Sequence, residues 1–200
     1  MKSILRLLIL WLAALYPIDA YTQTAQDGPL GLTWGMSASE TRARGIELAD
    51  IASSEYGKSY AATKLEKSVA DQAGALLFFG YDDRLWRIVV NSRDFSNDPT
   101  GYAVLSRYQE LSSVLSERYG SPSENHRLGD SIYSQQRYFL AGISGGNTKW
   151  FSNFDTPNTF VQLGLTATDG STGKWRLIYE NKQLRKDFDL ARRQKEKGSL

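Results

Sequence analysis

The chain has no cysteine and a single histidine, His126, among its 200 residues. Without thiols there is no disulfide framework, Cys-ligated zinc, iron–sulfur cluster, thiol nucleophile or lipid-modified N-terminal Cys. One imidazole excludes a multi-His metal cluster, so no metal and no cofactor is implied. No Asn-x-Ser/Thr sequon occurs. A long apolar run is also missing: the longest uncharged apolar stretch, Leu7 to Tyr16, is ten residues, well short of the roughly 20 that a spanning helix needs.

That short stretch follows Lys2 and Arg6 and leads to Pro17-Ile18-Asp19-Ala20. Charged, apolar and small-residue segments in that order are the pattern of a cleavable signal peptide over residues 1–20. The expected mature chain starts at Tyr21, has no transmembrane helix, and resides in a bacterial periplasm, with secretion as the alternative. Lys2, Arg6 and Asp19 leave with the leader, so 22 Lys+Arg face 21 Asp+Glu, a formal charge of +1. So balanced a chain is not expected to bind nucleic acid. An apolar share of 41% and five Trp suffice for a core; 180 residues fit a single domain.

Residues 21–29 are a polar, Gly/Pro-containing segment expected to be disordered, with one α+β domain over residues 30–200. Ser37-Ala38-Ser39-Glu40 predicts a capping box opening a short helix that Gly45 stops. A strand is expected around Tyr60 to Leu65. Ala75–Phe79, the turn Gly80–Arg84 and Leu85–Val90 predict a β-hairpin. Asp98-Pro99 reads as a helix cap and first turn. Val104, Tyr108, Leu111, Leu115 and Tyr119 form the helical stripe that follows, and Gly120 and Pro122 end it. Ser121–Ser131 reads as a polar loop. Tyr133–Leu140, Lys149–Phe154 and Phe160–Thr166 read as strands, and a turn at 169–173 leads to Lys174–Tyr179. A helix over Asn181–Lys197 closes the chain. Trp86-Arg87 and Trp175-Arg176 each follow a turn and precede a helix. They suggest duplicated strand–turn–strand–helix units at 74–120 and 159–197, although Trp-Arg is also an ordinary strand pair. Either way the expected fold is an antiparallel sheet with helices packed on one face and the other face partly free.

Catalytic chemistry has no convergent residue set. Ser121, Ser123, Asp130 and Ser131 surround His126, but no Gly-x-Ser-x-Gly elbow is present and the composition is that of a loop. Among the acids, Glu40, Glu47, Asp82, Asp83, Asp94 and Asp98 could supply a glycosidase pair; several sit where turns and caps want them. Asp169–Gly173 lacks the spacing of a calcium or phosphate loop. The final helix is basic, and Arg185, Lys186, Arg192 and Arg193 could meet an anionic membrane surface or simply form a solvated helix end. Aromatic side chains are plentiful at 12%. Tyr56, Tyr60 and above all Tyr133, Tyr138, Trp150, Phe151 and Phe154 fall where a sheet face could lack cover, which makes the last five the candidate binding set.

Two segments carry a resemblance. Leu32-Thr33-Trp34-Gly35-Met36-Ser37-Ala38-Ser39-Glu40 resembles the Trp-Gly-Met-Ser-x-x-Glu opening of many uncharacterised exported bacterial proteins. Leu115–Pro122 resembles the Leu-x-x-x-Tyr-Gly-x-Pro helix end that follows in them. The Gly-Met-Ser-x-x-Glu part is similar to the SmpA/OmlA family of small outer-membrane assembly lipoproteins, whose lipidated Cys this chain lacks. The resemblance implies a non-enzymatic envelope scaffold and carries no catalytic residue across. The expected function is thus a binding module for a protein, peptide or envelope component. The alternatives are a cell-wall hydrolase using paired carboxylates and an inhibitor of a secreted enzyme.

Overall fold

Strand-forming apolar residues on both sides of a tight Gly-Tyr-Asp-Asp turn make the first hairpin, β3 (Gln72–Gly80) with β4 (Arg87–Ser92). The computed structural model describes residues 27–51 and 55–199. β1 (Glu47–Asp50) and β2 (Lys58–Thr63) extend that hairpin into a four-stranded meander. A second meander comprises β5 (Ser123–Arg127), β6 (Lys149–Asp155), β7 (Thr159–Ala167) and β8 (Gly173–Asn181). β4 pairs antiparallel with β8, so the two meanders fuse into one eight-stranded sheet ordered β1-β2-β3-β4-β8-β7-β6-β5.

The Trp-Arg echo is the sequence trace of this join. If Trp86 corresponds to Trp175 and Arg87 to Arg176, exchanging counterparts turns Arg87↔Glu180 into Asn91↔Arg176 and Ile88↔Tyr179 into Val90↔Leu177. Val89↔Ile178 maps onto itself. Each meander is followed by a helix, α2 (Tyr102–Tyr119) after β4 and α4 (Lys182–Lys197) after β8. The sheet is therefore two-fold symmetric in its central register, with β3–β4–α2 and β7–β8–α4 as counterparts and β1–β2 and β5–β6 extending the symmetry outward.

Helices cover one face. α2 buries Val104, Tyr108, Leu111 and Leu115 and reaches Ser152 of β6. α3 (Phe139–Ser144) inserts Phe139 and Leu140 into the core. Asn181 caps α4 by accepting from the Leu184 amide at 3.0 Å, and Phe188 stacks on Trp86 with ring centroids 4.7 Å apart. α1 (Ala38–Ala43) opens with the expected capping box: Ser37 Oγ accepts from the Glu40 amide and Glu40 Oε2 from the Ser37 amide. Burial alternates residue by residue along β7 and β8, as a sheet covered on one side requires.

Four expectations need correction. Tyr133–Leu140 is not a strand but two 3-10 turns (Ser131–Ser134, Gln136–Tyr138) running into α3. Phe139, Leu140 and Gly142 are all buried, a helical spacing that overrides β-propensity. The polar loop at 121–131 contains edge strand β5, whose residues are all exposed and so show no hydrophobic period. α2 starts at Tyr102, after Gly101 at φ +67°, where a Cβ would lie 2.6 Å from the Phe139 ring. Asp98 still caps it by accepting from the Ala103 amide at 2.8 Å. Finally, residues 27–29 are ordered: Gly28 donates to the Leu32 carbonyl at 2.8 Å and Pro29 is buried. The leader and residues 21–26 lie outside the described residues.

Phe188 is α4's main anchor, touching Trp86, Tyr81 and Tyr56. Phe188→Ala is expected to cost about 3–5 kcal/mol in denaturant unfolding; a loss below about 1 kcal/mol would show that α4 is not part of the core.

Candidate functional site

Among the described residues, two candidates stand out: a polar network under α2, buried at its hydroxyl end and exposed at Glu124, and an open depression on the opposite face. The network begins at His126 on β5. Its Nε2 is 2.9 Å from the Tyr108 hydroxyl, which shares a second hydrogen bond of 2.6 Å with Ser152 Oγ. Glu124 lies 3.4 Å from His126 Nδ1. The imidazole stacks on Trp150 at 4.4 Å and 8°. An acid, a histidine and a hydroxyl in line resemble a nucleophile relay, but the hydroxyls are unreachable. Ser152 is 0% and Tyr108 1% exposed, so no substrate carbonyl can approach either. His126 meets neither Ser121, Ser123, Asp130 nor Ser131 in its hydrogen bonds. The network satisfies buried polar groups that would otherwise be costly.

Burial pushes the Tyr108 phenol up to about 12; the Ser152 hydrogen bond opposes that rise and Glu124 adds to it. Burial likewise raises Tyr119 and Tyr179.

The candidate acids have structural partners. Glu40 belongs to the capping box, and the Ser37 amide holds its carboxyl low. Glu47 pairs with Lys64, Asp82 with Arg84, Asp83 with Lys58 and Asp94 with Lys174. Partial burial pushes Asp98 up, but its hydrogen bonds from Thr100 and the α2 amides outweigh this and hold it low. Asp169 closes its turn by accepting from the Ser171 amide at 2.7 Å. Among the described residues no group of three His, Cys, Asp or Glu could hold a metal ion, and no helix is long and apolar enough to cross a membrane.

On the helix-free face, strand register brings distant residues into ranks. Phe151 pairs with Gly164, Gly164 with Arg176, Arg176 with Asn91, and Asn91 with Gly74. The neighbouring rank is Asn153, Gln162, Ile178, Val89 and Leu76. Around Gly164 lies an open depression of about 360 Å³, lined on this face by Phe151, Gln162, Ile178, Arg176 and Lys149 and reaching Thr148, Trp150 and Ile143 of α3 at its end. Gly164 sits in mid-strand with no unusual φ, and a Cβ there would make only ordinary contacts, 3.5 Å from Phe151 Cβ. Packing therefore does not demand this glycine, and a strand interior disfavours it. The space above it is kept open at some expense in stability.

Of the candidate binding set, Phe151 and Trp150 line the depression, Phe151 from a strand position on the open face. Trp150 turns toward α3, edge-on to Phe139, and Phe154 is 0% exposed in the core. Tyr133 and Tyr138 sit in the 3-10 turns, off the sheet. Tyr56 closes one corner of the open face against Phe78 and Arg87, whereas Tyr60 packs on Phe79. Gly164 and Arg176, which shape the depression, escaped the sequence reading. An isolated Gly within the strand pattern Phe160–Thr166 was the available signal. On α4, Arg185 pairs with Glu180 and Asp189, and Arg192 with Asp189, whereas Lys186 and Arg193 have no ion pair among the described residues.

The raised tyrosines set an alkaline limit. Below pH of about 10, Tyr108 is neutral folded and unfolded; above it the unfolded chain loses the proton first, so stability falls through about 12. Melting temperature is expected to drop from pH 10 upward, less steeply in Tyr108→Phe; an unchanged slope would contradict this burial account. Comparison with protein-family models, curated proteins and solved structures finds no significant match, so the site rests on its own geometry.

Proposed function

We propose that this chain is an exported, periplasmic binding module that acts without catalysis and holds a protein, peptide or envelope component on the helix-free sheet face. The observation that carries it is the depression over Gly164, kept open in mid-strand where a larger side chain would fit. A strand glycine with free space above it marks close approach by another molecule. The sealed hydroxyls of the His126 network and the structural partners of the candidate acids favour binding over hydrolysis. The resemblance of the Trp34–Glu40 opening to exported envelope proteins points the same way.

Gly164→Val places a branched side chain in the middle of the depression and should leave the melting temperature equal or raise it, since valine favours strands by up to about 1 kcal/mol. An envelope extract from the source bacterium should raise the melting temperature of wild type and not of Gly164→Val, because a ligand stabilises only the state that binds it. An equal rise in both would overturn the reading. The intact mass of the exported protein should correspond to a start at Tyr21; a membrane-held chain starting at Met1 would overturn export by cleavage.

A further inference from the structure

Charge on the open face is unevenly spread. At the end nearer the depression, the ranks place Arg127 beside Lys149, and Thr166 beside Lys174, with Arg176 one rank in. Lys174 is matched by Asp94. Arg176 donates through Nε to the neutral Asn91 Oδ1 at 2.9 Å, and neither it nor Lys149 is ion-paired to any described carboxylate. Among the described residues no acidic side chain lines the depression. At the other end the balance is closed: Glu180, 12% exposed, is held by Arg87 at 2.9 Å and Arg185 at 2.8 Å.

The depression is therefore lined by apolar Phe151 and Ile178 beside Gly164, with two cations, Arg176 and Lys149, that no described carboxylate matches. Asn91 fixes the guanidinium by one N–H and leaves the others free, which suits a planar or tetrahedral oxyanion. At about 360 Å³ the space is at the small end of ligand sites. Resting on the binding reading above, we infer that the occupant is a small amphiphilic anion: one carboxylate, phosphate or sulfonate group beside a compact aromatic or alkyl group. The anion lies between Arg176 and Lys149, and the apolar part rests on Phe151, Gly164 and Ile178.

Anilinonaphthalene sulfonate and its uncharged relative phenylnaphthylamine separate the two parts of this claim, because they share rings and differ in the anion. Both are titrated by fluorescence into the full mature chain. The sulfonate should bind the wild type more tightly than the neutral dye. Arg176→Gln should weaken sulfonate binding about tenfold, the loss of one charge-assisted contact, and leave the neutral dye unchanged. Lys149→Gln should act in the same direction, which keeps the test intact should one variant misfold. Gly164→Val should weaken both dyes. Sulfonate binding that ignores both charge variants but is lost in Gly164→Val overturns the anion inference and spares the binding reading. Binding of both dyes that ignores Gly164→Val overturns both.

Discussion

The pairing of β4 with β8 joins two meanders that would otherwise be separate four-stranded sheets. Five residue pairs from Arg87↔Glu180 to Asn91↔Arg176 define its register. Because side chains alternate along a strand, this register decides which residues of all eight strands share a face. A slip of one residue would flip one strand against the other, turning either Ile88 and Val90 outward and Arg87 under the helices, or Leu177 and Tyr179 outward and Arg176 and Glu180 under them. Burying such charges is far costlier than burying the aliphatic and aromatic groups now there. The hydrophobic pattern thus holds the join in one register, and the join in turn places Asn91 beside Arg176, which the β7–β8 pairing sets next to Gly164.

The two faces do different work with the same backbone. One carries the core, sealed by the helices and by the polar network from Glu124 to Ser152. The other stays free of helices among the described residues and is graded along its strands, from unmatched cations near Lys149 to the Arg87–Glu180 pair beside Tyr56. Val89 shows how closely this face is nevertheless packed: it is only 6% exposed without a helix above it. Its neighbours Leu76 and Ile178 supply the cover. Gly164 interrupts that packing, and the interruption is the depression.

The elements legible in the sequence are those in which burial imposes a period. The stripe Val104 to Leu115, the hairpin around Gly80–Arg84 and the Ser37–Glu40 box all show one, and the α+β architecture with helices on one face follows from them. β5 was invisible because an exposed edge strand has polar side chains on both faces, here Ser-Glu-Asn-His-Arg, which also discourages unwanted pairing. α3 was misread because Tyr133, Tyr138 and Phe139 favour strands locally, while its place is set by Gly101 and Gly173, which leave room for Phe139 and Leu140. The depression could not be read at all without register: Phe151, Gly164 and Arg176 are far apart in sequence and meet only across three strands. Aromatic content pointed to a binding face but could not separate Phe151, on the open side, from Phe154 in the core.

Backbone amide NMR of the mature chain, followed as anilinonaphthalene sulfonate is added, tests most directly whether the helix-free face is the working surface. The account predicts that shift changes concentrate at Phe151, Gly164, Arg176 and Ile178. Changes centred on α2, α4 or the surroundings of His126, with the Gly164 rank unmoved, would contradict it.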